Sequence, residues 1–242
     1  YSLTEFDSRV TVDIDFLLKS LPNTPEQLRA ILERIISVDT GNEFITFEIK
    51  SVLPISVAKK YAGISASLVA HIKNTRTPFS IDFGVGDVIV PKQEKRKIPT
   101  QLNDFSSPMI NTYSLETTIA EKIDAILSLM EFSSRMKDYY DIYYLANKFD
   151  FDGKILVDAL KRTFANREHN FTVEQFEQVM SFDADDLMQR KWKAFIKKID
   201  AKTDDFSKVI NTIDDFLRFP IETALNGTNF LMQWKASSNI WE

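Results

Sequence analysis

Polar and apolar residues alternate from Thr11 to Leu17 (Thr-Val-Asp-Ile-Asp-Phe-Leu), the period of a strand with one polar face. That alternation directs Val12, Ile14 and Phe16 toward a core. The period changes at Thr24-Pro25-Glu26, where an N-cap, a first-turn proline and an early acid precede Leu28, Ile31, Leu32 and Ile35 at helical spacing. Segments 43–52, 61–72 and 78–90 are rich in β-branched and aromatic residues and predict strands, with Asn74, Gly84 and Gly86 as turn or bulge points. Beyond residue 106 the pattern becomes helical. Ser114 caps a helix reaching Met130, with Leu115, Ile119, Ile123, Ile126, Leu127 and Met130 as its apolar stripe. Further helices are predicted over 134–147, 153–165, 173–180, 184–199 and 205–218, and the segment after Pro220 fits no single pattern.

This order predicts an α+β protein, with a mixed sheet and flanking helix in residues 1–105 and a helical lobe in 106–242. The chain has 242 residues, 44% of them hydrophobic and 19 of them Phe, enough for a substantial core and too apolar for general disorder. Residues 1–105 carry equal numbers of basic and acidic side chains, so the net charge of -5 falls entirely on the helical part. A nucleic-acid surface would have to be a local patch. No apolar run approaches the roughly 20 residues that cross a bilayer, and no signal peptide opens the chain, which predicts a cytoplasmic protein without a membrane partner. The chain opens on Tyr1 rather than Met, and Ser2-Leu3-Thr4 has the character of a mid-helix segment, which predicts further sequence upstream.

Cysteine is absent and only His71 and His169 are available, which excludes disulfides, thiolate chemistry and Cys- or His-rich metal cages. Metal chemistry is then left to oxygen donors, meaning Mg²⁺ or Mn²⁺ on carboxylates. Asp13-Ile14-Asp15 is the sharpest candidate. In a strand, i and i+2 share a face about 6.5 to 7 Å apart. Two carboxylates brought to 4 Å at an effective dielectric of 20 repel by about 4 kcal/mol, a term that a divalent cation reverses. Asp82, in Phe79-Ser80-Ile81-Asp82-Phe83, is a third acid on a predicted strand. Three converging carboxylates are how two Mg²⁺ are held for in-line phosphoryl or nucleotidyl displacement, with Asp82 positioned to help activate the attacking hydroxyl. Asp87 follows the glycines and reads as a turn residue. The alternative is a solvated acidic strand face without function.

A second constellation is helical. Lys122 falls among the core positions Ile119, Ile123 and Ile126, where a snorkelling lysine is the plain alternative. Asp138 and Asp141 lie at i and i+3 on one helical face. Arg135 and Lys137 stand in the first turn, where cations oppose the helix dipole and therefore favour a phosphate or carboxylate partner. Lys92, Lys95, Arg96 and Lys97, between Pro91 and Pro99, form a basic cluster expected in a solvated loop. Arg190, Lys193 and Lys197 share a basic helical face that could track phosphates, while Trp192, Phe195, Ile196 and Ile199 keep core spacing. Neither histidine sits in a motif for a catalytic base, so a Ser-His-Asp hydrolase is not supported.

Four stretches in order (Arg9 to Phe16, Ile81 to Phe83, Leu115 to Ile123 and Ser134 to Asp141) together resemble the AbiEii/AbiGii toxin family of nucleotidyltransferases, over residues 1 to 147. The resemblance implies a polymerase-β-like nucleotidyltransferase core followed by a helical C-terminal lobe. It implies a bacterial toxin of an abortive-infection system, opposed by a cognate antitoxin, that uses a nucleoside triphosphate and Mg²⁺ and for which tRNA is a plausible acceptor. By that resemblance Asp13 and Asp15 match the metal-binding acids, Lys122 the triphosphate-contacting lysine and Asp138 the acid of the following motif. Asp141 is placed beside it, and Arg135 and Lys137 are candidate nucleotide contacts. The family's Gly-Ser turn, which would cradle the triphosphate about ten residues before the acid pair, is not met here. Ser2 stands near that distance without a glycine, so the turn is expected upstream of Tyr1. A phosphotransferase using the same site, and an inactive binding protein of this fold, are the rival readings.

Overall fold

The computed structural model describes residues 13–19, 24–39, 41, 44–55, 63–86, 88–100, 104–132, 134–201, 203 and 205–242, and the side chains of Asp13 and Val85 lie outside that description. Ser2 and Asp87 are also outside it. The chain forms two compact units, one of residues Val10–Asp87 and one that includes Val88–Glu242.

Among its described residues, the first unit forms a four-stranded sheet with one helix. Strands β1 (Asp13–Leu18), β2 (Ile45–Pro54), β3 (Ile64–Ile72) and β4 (Thr75–Val85) lie in the order β1-β4-β3-β2. β1 runs parallel to β4, whereas β2, β3 and β4 are antiparallel neighbours. A two-residue loop, Lys73-Asn74, joins β3 to β4, with Lys73 at a φ of 52°. Helix α1 (Pro25–Ile36) begins where the sequence places it, with the Thr24 hydroxyl accepting from the Gln27 amide. Its Leu28 and Leu32 bury against Val52, Ile64, Ala66, Leu68 and Phe83, so one sheet face is apolar and covered. Period two sends the intervening positions, Ser65, Ser67, Ser80 and Asp82, to the other face. Phe16 departs from the expected core position. It is 47% exposed, because β1 has a neighbour on one side only among the described strands, and its ring stacks on buried Phe83 at 5.8 Å.

The second unit opens with a hairpin of β5 (Glu94–Lys97) and β6 (Met109–Thr112). The basic cluster thus lies in a strand and its approach rather than in a loop, and Arg96 is paired with Glu94 at 2.7 Å. Among the described residues six α-helices follow: α2 (Leu115–Leu129), α3 (Met136–Lys148), α4 (Gly153–Asn166), α5 (Val173–Met180), α6 (Asp186–Ile199) and α7 (Phe206–Asn226). Ile119, Ile123, Ile126 and Leu127 are fully buried, as the stripe of α2 requires, and Trp192 packs within the same core. Ser114 caps α2 from a buried position, accepting from the Thr117 amide and donating to the Val90 carbonyl.

α7 outruns its predicted end by continuing through Pro220 to Asn226. Proline removes the N–H that would bond the carbonyl four residues back, here Phe216. The indole N–H of Trp241 donates to that carbonyl at 3.1 Å, so the helix passes Pro220 without orphaning it. Trp241 arrives there from the segment that fitted no single pattern. It forms β8 (Gln233–Lys235) and β9 (Ile240–Trp241), which extend the short β7 (Phe151–Asp152) into a three-stranded sheet.

Candidate active site

In the sheet unit, parallel pairing sets Asp15 level with Asp82 and Asp13 level with Ser80. Neighbouring strands lie about 4.8 Å apart, and level residues in a parallel pair present their side chains to the same face. Asp82 is in turn level with Ser65 on β3, and Ser80 with Ser67. The face opposite α1 therefore carries two adjacent carboxylates bordered by three serines. Asp15 is exposed and Asp82 half-buried. Among the described residues no group of three or more acid, histidine or cysteine side chains is placed to hold a metal, the Asp13 side chain lying outside them. The donor chemistry fits a hard divalent cation, since carboxylate oxygens on adjacent strands are what such an ion takes.

In the helical unit, Lys122 does not snorkel. Its Nζ donates to Asp138 Oδ1 at 3.2 Å and to Asp141 Oδ2 at 2.6 Å, and both aspartates are fully buried. The i and i+3 spacing on α3 is what lets two carboxylates converge on one ammonium from α2. Arg135 Nε also bonds Asp138, so the cation at the start of α3 has the carboxylate partner that its misfit with the helix dipole called for. Lys137 makes none of the bonds of this clamp among the described residues. Two cations thus face two buried carboxylates.

A neighbouring cluster escaped sequence reading. Asp124, buried on α2, accepts from Arg167 Nη1 at 2.8 Å and lies 2.8 Å from His169 Nδ1. Ser128 Oγ approaches the same Nδ1 at 3.3 Å and donates to the Asp124 carbonyl at 2.7 Å. A hydrolytic triad needs the serine and the acid on opposite ring nitrogens, so this arrangement pins α2 to the end of α4 instead of activating a nucleophile. The one available signal was an acid among the core positions of α2, which demands a buried partner.

At the start of α2, burial pushes the Glu116 carboxyl above the usual glutamate range, with nearby Glu94 adding to the effect. The folded state therefore holds the proton more tightly than the unfolded one, and stability falls as pH rises from the unfolded value through the raised one. Glu116→Gln is expected to remove that slope. Urea midpoints measured from pH 4 to pH 8 should fall more steeply in the parent than in the variant. Parallel curves would show that Glu116 is not the source.

The acid pair lies on one face of a mixed sheet, a helical unit follows, and a family model for nucleotidyl transferases matches residues 2–218. That family is the AbiEii toxin family of type IV toxin–antitoxin systems, and the chain belongs to it. No curated protein gives a significant match. Two solved structures from Helicobacter pylori are similar at 12% identity. One, assigned as a nucleotidyltransferase, is covered over 84% of its length by 95% of this chain with a TM-score of 0.48. The other, JHP933, is covered over 82% of its length by 90% of this chain with a TM-score of 0.47. Among the described residues no helix is long and apolar enough to cross a membrane.

Proposed function

We propose that the protein is a cytoplasmic toxin that moves a nucleoside monophosphate from a nucleoside triphosphate to an acceptor hydroxyl, with the acceptor end of tRNA as the substrate, and that its antitoxin counters this activity. The observation that carries the reading is the level pairing of Asp15 with Asp82 on the sheet face opposite α1 of a chain in this family. Asp13, Asp15 and Asp82 would hold Mg²⁺ or Mn²⁺, which supplies Lewis-acid stabilisation of the phosphate oxygens. The acceptor oxygen bonds to the α-phosphorus, the bond to the bridging oxygen breaks, and pyrophosphate leaves with that electron pair. Asp82 accepts a hydrogen bond from the attacking hydroxyl and aligns it, and the proton passes through it to solvent. Lys122, steadied by Asp138 and Asp141, is assigned to the triphosphate, with Arg135 and Lys137 as further cations.

The test is incubation with each nucleoside triphosphate, labelled at the α- or the γ-phosphate, together with total tRNA and Mg²⁺, for the parent and Asp13→Ala. Label is expected on tRNA from the α position only, and only with the parent. Transfer of the γ label would identify a phosphotransferase, and equal labelling by the variant would remove Asp13 from the site.

A further inference from the structure

The sheet face opposite α1 continues past the acids. Along β2, Ile49 pairs with Leu68 and Ser51 with Ser67, which leaves Lys50 as the extra residue of a bulge. The sequence carries the trace of it, because Phe47 and Ile49 follow period two and the next apolar position is Val52, three residues on. A bulge bends its strand and re-aims a side chain, and bulges concentrate beside active sites. This one brings Lys50 to the face that carries Ser67 and Ser80. The three residues line an open recess of about 270 Å³, with Val69 and Pro78 among its walls. Glu48 lies 2.6 Å from Lys50 Nζ and 3.3 Å from His71 Nε2, and so fixes the ammonium on this face.

The recess has a definite place relative to the acids. Ser80 precedes Asp82 by two residues on β4, about 6.5 to 7 Å along the same face. β3 and β2 lie on the side of β4 opposite to β1. The recess therefore opens on the flank of Asp82 away from Asp15. If Asp13 and Asp15 take the metal and triphosphate, that flank belongs to the group whose hydroxyl Asp82 meets. The recess offers one ammonium, paired with Glu48, and two hydroxyls, donors that suit a phosphodiester and its ribose, beside apolar walls that include Leu68 and Phe79.

We infer that this recess binds the last phosphodiester of a polynucleotide acceptor, Lys50 meeting its charge and Ser67 and Ser80 donating to its oxygens. The inference rests on the reading of Asp82 as the acid that aligns the acceptor hydroxyl. Its test separates the two. Filter binding of end-labelled total tRNA across a salt series and calorimetry with each nucleoside triphosphate are compared for the parent, Lys50→Ala, Lys50→Arg and Asp82→Asn. Lys50→Ala is expected to weaken tRNA binding about 3- to 10-fold and to reduce the salt slope by about one, as for loss of one phosphate contact. Triphosphate affinity should be unchanged, and Lys50→Arg should restore tRNA binding. Asp82→Asn tests the acid independently, through loss of transfer with tRNA still bound. Parental tRNA affinity and salt slope in Lys50→Ala, or a weakening confined to the triphosphate, would overturn the inference.

Discussion

Asp15→Asn and Asp82→Asn are each expected to slow nucleotide transfer by about 10²- to 10³-fold, the range for removing one charge-stabilising group from a preorganised site. Asparagine keeps the volume and one oxygen of aspartate and removes its charge, so the sheet should remain paired. The level register of the two residues makes the effects interdependent, and the double variant should lose little more than either single one. A readout independent of turnover is available. Mg²⁺ at ten times its dissociation constant stabilises a protein that binds it by about 1.4 kcal/mol, which for a chain of this size is roughly 3 to 6 °C in Tm. The parent should show that rise and both variants should lose most of it. Without Mg²⁺ the Asp82→Asn variant should melt no lower than the parent, since it relieves repulsion between adjacent carboxylates. Rates within about threefold of the parent, or an undiminished Mg²⁺ shift, would mean that the acid pair is a solvated strand face.

Local periodicity made much of the framework legible, because α1 and α2 combine an apolar stripe with a side-chain cap and both signals fall on the same residues. What local pattern does not contain is a partner distant in the chain. Pro220 looks like a helix stop until the Trp241 indole is known to occupy the freed carbonyl. The exposure of Phe16 follows from the place of β1 in the sheet order, which no residue within β1 encodes. The candidate site divides the same way. Asp13-Ile14-Asp15 is visible as a pair, but that Asp82 stands beside Asp15 is a fact of register. Asp138 and Asp141 announce a shared helical face, and only the packing of α2 on α3 brings Lys122 to them. Lys50 was hidden for a different reason. A bulge shifts parity by one, so a strict period-two reading loses the strand where its most informative residue begins.

Lys122→Met is expected to be the most destabilising of the substitutions considered. Methionine replaces the length of the lysine stem without its charge, and leaves Asp138 and Asp141 fully buried without their shared ammonium. Breaking a buried ion pair by removing one partner costs about 3–5 kcal/mol, because the remaining charge is stranded. In thermal terms that is roughly 6 to 20 °C for a protein of this size. The origin of the loss can be isolated. If it comes from the buried carboxylates that lose this ammonium, Asp141→Asn in the Lys122→Met background should recover a good part of it, although it removes a further charge. Arg135→Gln should cost about 1 kcal/mol or less, since that side chain is half exposed and screened. Urea denaturation of the four proteins, with the slope unchanged, decides the matter. A Lys122→Met variant within about 1 kcal/mol of the parent would mean that the clamp does not hold α2 to α3. If such a variant also lost transfer, the ammonium would be a phosphate ligand for which the two aspartates serve only as a rest position. Lys122 therefore has two separate readouts: urea midpoints report the clamp, and transfer by the folded variant reports the triphosphate contact.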